Sequence, residues 1–221
     1  LYAGLLARLA RVQWELNRGT EGVETAQRAL SLLPAGQSSE ERALLMAWLA
    51  RTRFLRGRFR DAVSDGEAAR EAAVEVGDRH AEGEVLNTLG MAHVALGSVD
   101  RGVALLEQAI EIAREEDDLD NLGYAYSNLA DMLNLAGRTA EALETAHAGL
   151  AAVPRRMARL HDWLMLTVAE LAFEAGDWDL MRAHLGPQAA PLDRPRIFAL
   201  VLEAEIALSE GDQDRAAHRL E

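Results

Sequence analysis

The sequence predicts an all-α fold, a right-handed superhelical solenoid of about six antiparallel helix pairs. Glycine-centred turns recur at nearly constant spacing, at Gly57, Gly97, Gly137, Gly176 and Gly211. Their successive differences are 97−57 = 40, 137−97 = 40, 176−137 = 39 and 211−176 = 35. The segments between them have helical periodicity, and no strand-like alternation bounded by hairpin turns occurs. Spacing of this length is typical of a helical repeat array, which usually forms a binding surface rather than an active site.

The turns divide the chain into six repeats. Asn17 holds the first turn position, since 57−17 = 40. We assign the repeats to residues 1–37, 38–79, 80–120, 121–156, 157–194 and 195–221, in a single array. The chain starts with Leu1 and ends inside a predicted helix, so we expect the array to be part of a longer protein.

Each repeat consists of a first helix, a glycine turn, a second helix and a polar loop. The loop from Pro34 to Ser39 separates the first two repeats. Ser38 followed by Glu41 predicts a capping-box start for the next helix. Gly77-Asp78 closes the second repeat.

The third repeat shows the pattern most clearly. We predict its first helix from Glu82 to Leu96 and its second from Asp100 to Glu115. Gly97 ends the first helix, because a positive φ angle carries no Cβ penalty in glycine. The second helix places its apolar residues on one face: Val103, Leu106, Ala109, Ile110 and Ala113.

The later repeats are separated by similar breaks. Residues 116–120 close the third repeat, and Val153-Pro154 closes the fourth. The longest predicted non-helical stretch is Gly186 to Pro195, which contains three prolines.

The third repeat resembles a tetratricopeptide repeat. It matches that family at Leu89, Gly90, His93, Gly97, Gly102, Leu106 and Ala109. The two helices of such a unit cross closely, so the contact points must be small. Gly90 and Gly102 fill those positions in the third repeat, and Ala130 and Ala142 fill them in the fourth. Met181 departs from this pattern in the fifth repeat.

Extended repeats rich in Ala, Arg and Glu also resemble the helical region of large bacterial ATP-binding transcription regulators of the LuxR type. They are similar as well to the peptide-sensing repeat regulators of quorum signalling. This resemblance implies the sensing or scaffolding region of a bacterial regulator. No phosphate-binding Gly-Lys-Ser/Thr loop and no basic recognition helix occur in the sequence.

Composition excludes several classes of function. The formal charge is 23 − 36 = −13, and every basic residue is arginine, so we expect no direct binding of nucleic acid. The chain has no cysteine, no apolar run long enough for a bilayer and no signal peptide. We therefore expect a cytoplasmic protein without membrane contact. The lack of lysine suggests a GC-rich bacterial genome.

No pattern in the sequence predicts catalysis. The six histidines show no metal-ligand spacing on one helix face, and no Gly-x-Ser-x-Gly sequence is present. The acidic run around residues 115–120 lacks the glycine and glutamate of a calcium loop. We expect no metal and no cofactor.

The concave face is the candidate binding site, because the first helices of the repeats line it. The residues that follow the small position in those helices change from basic to acidic along the array: Arg11, Arg51, Met91, Asp131, Glu170 and Glu205. Three residues further on lie Trp14, Phe54, Val94, Asn134, Phe173 and Leu208. Asn87 and Asn128 are candidate readers of a peptide main chain.

This arrangement predicts a polarised groove for a protein or peptide ligand. An acidic group or peptide C-terminus is expected near Arg11 and Arg51, and a basic segment near the carboxylates. In the competing interpretation the aromatic residues pack between repeats and the charges pair across them. A metabolite sensor and a self-associating scaffold stay open as alternative functions.

Overall fold

The computed structural model describes residues 2–16, 18–34, 39–185 and 194–220. Within these ranges the chain forms twelve α-helices and no strand, so the all-α prediction is confirmed. The helices are α1 Tyr2–Glu15, α2 Gly19–Ser31, α3 Glu40–Leu55, α4 Phe59–Val76, α5 Arg79–Ala95, α6 Val99–Glu115, α7 Leu119–Leu135, α8 Thr139–Ala152, α9 Ala158–Glu174, α10 Trp178–Leu185, α11 Arg194–Ser209 and α12 Gln213–Leu220. They fall into two compact units, unit 1 (Leu1–Met132) and unit 2 (Leu133–Glu221).

The predicted glycine turns have the expected backbone geometry. All five glycines have positive φ angles, and Gly97 has a φ of 85°. Its amide donates to the Val94 carbonyl at 2.8 Å, and the Ser98 amide donates to the His93 carbonyl at 2.8 Å. These bonds close α5 before α6 begins. Asn17 lies outside the described residues.

Two helix starts differ from the sequence prediction. α5 begins at Arg79 because the Asp78 side chain caps it, accepting a hydrogen bond from the Ala81 amide at 2.9 Å. α3 is capped by Ser39, whose hydroxyl accepts from the Arg42 amide at 3.2 Å. The observed cap is thus one residue later than the predicted one, and Ser38 itself lies outside the described residues. Ser39 has the extended backbone of an N-cap, and Arg42 lies three positions beyond it.

The two helices of the α5–α6 pair touch through their backbones. A Cβ atom on Gly90 would lie 2.8 Å from the carbonyl oxygen of Gly102 and 2.5 Å from Cγ of Leu106. A Cβ on Gly102 would lie 2.6 Å from the Gly90 oxygen. Such distances exclude any side chain, so the small-residue prediction is confirmed for this pair.

Neighbouring pairs in unit 1 stack leucines on small residues. Leu45 of α3 shares a buried cluster with Ala26 and Ala29 of α2. At the next junction, Leu89 of α5 lies against Gly66 of α4, where an added Cβ would be 2.7 Å from Leu Cδ2. The second helix of one pair thus provides a shallow surface for the first helix of the next.

Unit 2 has its own apolar core. α9, α10 and α11 share one buried cluster: Leu166, Ala169, Ala172, Met181, Leu185, Leu202 and Ile206. Met181 is completely buried there, although other repeats have a small residue at its position. α11 and α12 pack through a second cluster of Ala204, Ala207 and Ala216. Of the predicted non-helical stretch 186–195, residues 186–193 lie outside the described part of the chain. The prediction is wrong for Arg194 and Pro195, which form the start of α11.

Candidate functional site

The exposed face of α3 carries an arginine between two leucines. Leu44, Arg51 and Leu55 follow one another at i, i+7 and i+11, so they lie within about 40° of each other around the helix axis. All three are exposed, and Leu55 is 53% exposed. We call these three residues the α3 face. It combines a cation with apolar surface on one rigid helix.

Positive charge is concentrated at the end of α3 and the start of α4. Five arginines lie here: Arg51, Arg53, Arg56, Arg58 and Arg60. Arg53 pairs with Asp61 and Asp65, and Arg58 pairs with Asp61. The side chains of the other three are exposed and make no hydrogen bond or ion pair to any residue that the structure describes. We call Arg51, Arg56 and Arg60 the basic turn.

Phe54, at the end of α3, contacts Phe59 at the start of α4. Its ring centroid is 5.4 Å from that of Phe59, with the ring planes tilted by 47°. Both rings are half-buried, so they connect the end of α3 to the start of α4. This contact favours a packing role for Phe54 and holds the flanking arginines on an ordered turn.

On α5, the residues that correspond to Arg51 and Phe54 are Met91 and Val94. Both are buried: Met91 is 8% exposed and Val94 is 5% exposed. Val94 packs on the helix crossing, since a Cβ on Gly102 would lie 2.5 Å from its Cγ2. α5 therefore presents little side-chain surface at the predicted groove positions.

Two predicted site residues of unit 1 bind each other. Asn128 of α7 donates from Nδ2 to Oδ1 of Asn87 on α5 at 3.1 Å, and both side chains are half-buried. This bond uses one donor and one acceptor, so the Asn87 amide group and the Asn128 carbonyl keep further capacity for a main-chain partner. Asp131, one turn beyond Asn128, is exposed and has an interaction within the chain.

In unit 2, the side chain of Asn134 forms hydrogen bonds through both its nitrogen and its oxygen. It donates to Oε2 of Glu174 and accepts from the Thr139 hydroxyl at 2.9 Å. Phe173 packs edge-on against Trp178, with ring centroids 5.4 Å apart, and borders the unit 2 cluster. These contacts give Asn134 and Phe173 structural roles.

The other predicted site residues lie apart from these contacts. Glu170 is half-buried and has an interaction within the chain, whereas Glu205 is exposed on α11. Arg11 and Trp14 belong to α1, but their side chains are outside the described part of the chain. The basic-to-acidic row therefore stays a prediction.

Sequence reasoning missed Leu44, Leu55, Arg56 and Arg60. The signal for the leucines was their helical spacing from Arg51, and the signal for the arginines was their density between residues 51 and 60. Both were missed because the prediction compared two fixed positions of the first helix in each repeat. It did not examine the surroundings of each position.

One histidine of the α5–α6 pair lies in the interior of the described chain. His93 is buried, and burial, together with the charge of Arg101, lowers the pKa of its imidazole against the opposing effect of Glu67. Arg101 and Glu67 bind each other at 2.9 Å. Among the described residues, no three His, Cys, Asp or Glu side chains are grouped so that they could hold a metal ion.

The sequence of the central repeats matches a known family. Residues 82–154 fit the tetratricopeptide repeat family model. Tetratricopeptide repeat protein 29 of Macaca fascicularis is 37% identical over 76 residues, which cover 34% of this chain and 16% of that protein.

Solved structures extend the similarity in fold to nearly the whole chain. A thermophilic tetratricopeptide-repeat protein from Thermus thermophilus has a TM-score of 0.56 and 20% identity, with 99% of this chain and 98% of that chain covered. The apo form of RapI has a TM-score of 0.71 at 9% identity, covering 99% and 82%. Aspartyl phosphate phosphatase F from Bacillus subtilis has a TM-score of 0.68 at 13% identity, covering 99% and 57%. The tetratricopeptide-like solenoid fold is thereby confirmed.

None of the helices in the described ranges is long and apolar enough to cross a membrane.

Proposed function

We propose that this chain is a non-catalytic protein-interaction module that binds an acidic, leucine-containing peptide segment on the α3 face. The observation that carries the proposal is the exposed guanidinium of Arg51 between Leu44 and Leu55, which has no ion-pair partner among the described residues. Arginine binds carboxylates with two parallel hydrogen bonds, and exposed leucines add apolar contact area beside it. The tetratricopeptide fold supports this general role.

The positive charge of residues 51–65 indicates that the partner is negatively charged. Residues 51–65 contain five arginines and two aspartates, a net charge of 5 − 2 = +3, in a chain of −13. An acidic segment is repelled by most of the surface and attracted to the basic turn. This contrast favours one binding position over the rest of the molecule.

Two of the three carboxylates named with the groove are less suited to a ligand. Asp131 and Glu170 already have interactions within the chain, so a basic segment would have to displace them. We therefore restrict the proposal to the basic turn and the α3 face.

The test uses three labelled peptides of equal length, each with two leucines. One has glutamates and a free C-terminus, the second has glutamates and an amidated C-terminus, and the third has lysines. We expect the glutamate peptides to bind and the lysine peptide not to bind in fluorescence anisotropy. Loss of a charge-assisted pair costs ~1.5–3 kcal/mol, so Arg51→Glu should raise Kd by roughly 10- to 100-fold.

Arg28→Glu is the matched control, because Arg28 is also exposed but lies on α2. It makes the same change in net charge away from the α3 face. Equal weakening by both variants would show that only overall charge matters, and would contradict the proposal. Binding of a metabolite with no peptide binding would favour the sensor alternative.

We also propose that the module belongs to a bacterial transcription regulator, as its sensing or scaffolding arm. Support comes from the extended repeats and the arginine-only basic composition. The full reading frame tests this. A phosphate-binding loop and a helix-turn-helix are the expected neighbours, and a frame without either would contradict the regulator assignment.

A further inference from the structure

The first helix exposes a stripe of large apolar side chains. Tyr2, Leu5, Leu9, Val12 and Leu16 follow each other at intervals of three and four residues along α1 and its C-terminal end. Leu5, Leu9 and Val12 are between 46% and 55% exposed. We call these three residues the α1 stripe. Intervals of three and four are those of a helix that packs against another helix.

The same positions are buried in α3 and α5, each of which follows another helix pair. Adding 40 to each residue number of the α1 stripe gives the corresponding residues of α3, and adding 80 gives those of α5. The α3 residues are Leu45, Leu49 and Thr52, and the α5 residues are Val85, Leu89 and Ala92. None of these six is more than 8% exposed. The α1 stripe thus continues a stacking interface that already exists at two junctions.

Unit 2 gives an independent example. Leu164, Val168 and Leu171 of α9 correspond to the α1 stripe when both helices are aligned on their small residues, Ala10 and Ala169. They are at most 2% exposed, and the preceding helix α8 packs against α9. Among the described first helices with this pattern, α1 differs in leaving its stripe uncovered.

The helix surface that packs against these positions consists of small residues at fixed intervals. At the first junction it includes Ala26 and Ala29 of α2, which follow the turn residue Asn17 by nine and twelve positions. At the second it includes Gly66 and Ala69 of α4, which follow Gly57 by the same intervals. A suitable partner for α1 is therefore a helix with small residues nine and twelve positions after its turn.

We propose that the α1 stripe is the stacking surface for one more helix pair of this type, which precedes α1 in the same polypeptide. A terminal repeat normally has a polar outer face, and α1 has the apolar face of an internal repeat. This inference does not depend on the peptide-binding proposal.

A second copy of the chain fits this surface less well. Two α1 stripes would place leucine against leucine, whereas the existing junctions place leucine against alanine or glycine. In α12 the ninth position after Gly211 is Leu220, so that helix has no small residue there.

The test adds a helix pair to the full chain. A copy of residues 39–80 placed directly before Leu1 keeps the 40-residue register, so that the copied Gly66 faces Leu9 as the native Gly66 faces Leu89. We expect the added pair to slow amide hydrogen exchange in α1 by at least about tenfold, because α1 becomes an internal helix.

Two variants make the result specific. Leu9→Gln should leave the thermal midpoint of the 221-residue chain nearly unchanged and lower that of the extended chain by several degrees, since only there is Leu9 buried. Gly66→Glu in the added copy alone should abolish the protection of α1. Circular dichroism checks that the added helices form. An equal effect of Leu9→Gln in both chains would overturn the proposal.

The source of the natural partner is tested separately. In the genomic reading frame upstream of the Leu1 codon we expect a helix pair with small residues 40 positions before Ala26 and Ala29. A start codon immediately before Leu1 would overturn the proposal. So would sedimentation that shows a dimer dissociated by Leu9→Gln, because a second copy would then be the occupant.

Discussion

At the scale of single residues, the α5–α6 crossing leaves no space for a methyl group. We predict that Gly102→Ala destabilises the chain by about 2–3 kcal/mol or more, towards the upper end of the cost of overpacking. The reason is that the new Cβ would meet the Gly90 carbonyl at 2.6 Å and the Val94 amide nitrogen at 2.9 Å, and backbone atoms cannot rotate away. Urea unfolding followed by circular dichroism measures the change.

Gly4→Ala is the control for this prediction. Gly4 is also inside a helix, but an added Cβ would meet no other atom within 4 Å. Alanine is the better helix former by about 0.5–1 kcal/mol, so Gly4→Ala should stabilise the chain or leave it unchanged. If both variants lost stability equally, the close crossing would not be the cause.

At the scale of helices, two neighbouring serines at the start of α3 are expected to differ in their contribution to stability. We predict that Ser39→Ala lowers the free energy of unfolding by about 1 kcal/mol, because the Arg42 amide loses its acceptor. Ser38→Ala should have a much smaller effect. Thermal unfolding of the two variants compares them directly, and a larger loss for Ser38→Ala would restore the cap that the sequence alone predicts.

This element also shows how far sequence reasoning reaches. Glycine spacing and helical periodicity predicted the turns and the helices of the third repeat, because both are local properties of the chain. The choice between Ser38 and Ser39 depends on where the chain becomes extended, and either serine satisfies the capping pattern.

The candidate site was predictable only in part. The repeat register identified Arg51, because direction around a helix follows from residue number. The burial of a side chain does not follow from residue number. Met91 was therefore predicted to line the groove, although it is only 8% exposed. The bond between Asn87 and Asn128 joins residues 41 apart, whereas the repeat spacing is 40. Contacts of this kind depend on packing between helices.

At the scale of the whole molecule, repulsion from the net charge lowers the stability of the fold, whereas local ion pairs raise it. The ion pairs of the described residues, such as those of Arg18 with Glu21 and Arg138 with Glu141, are largely exposed, and exposed pairs contribute little to stability. The charge of −13 repels itself throughout the folded chain. Repulsion should therefore dominate the response to salt.

We predict that the thermal midpoint rises when the salt concentration increases from roughly 10 mM to 100 mM, over which the Debye length falls from about 30 Å to about 10 Å. Replacing Arg51, Arg56 and Arg60 by glutamine changes the net charge from −13 to −13 − 3 = −16 without breaking an ion pair among the described residues. This triple variant should be less stable at low salt and gain more from added salt. Differential scanning calorimetry at several salt concentrations measures both effects. A midpoint that falls with salt in both proteins would mean that the surface ion pairs outweigh the repulsion.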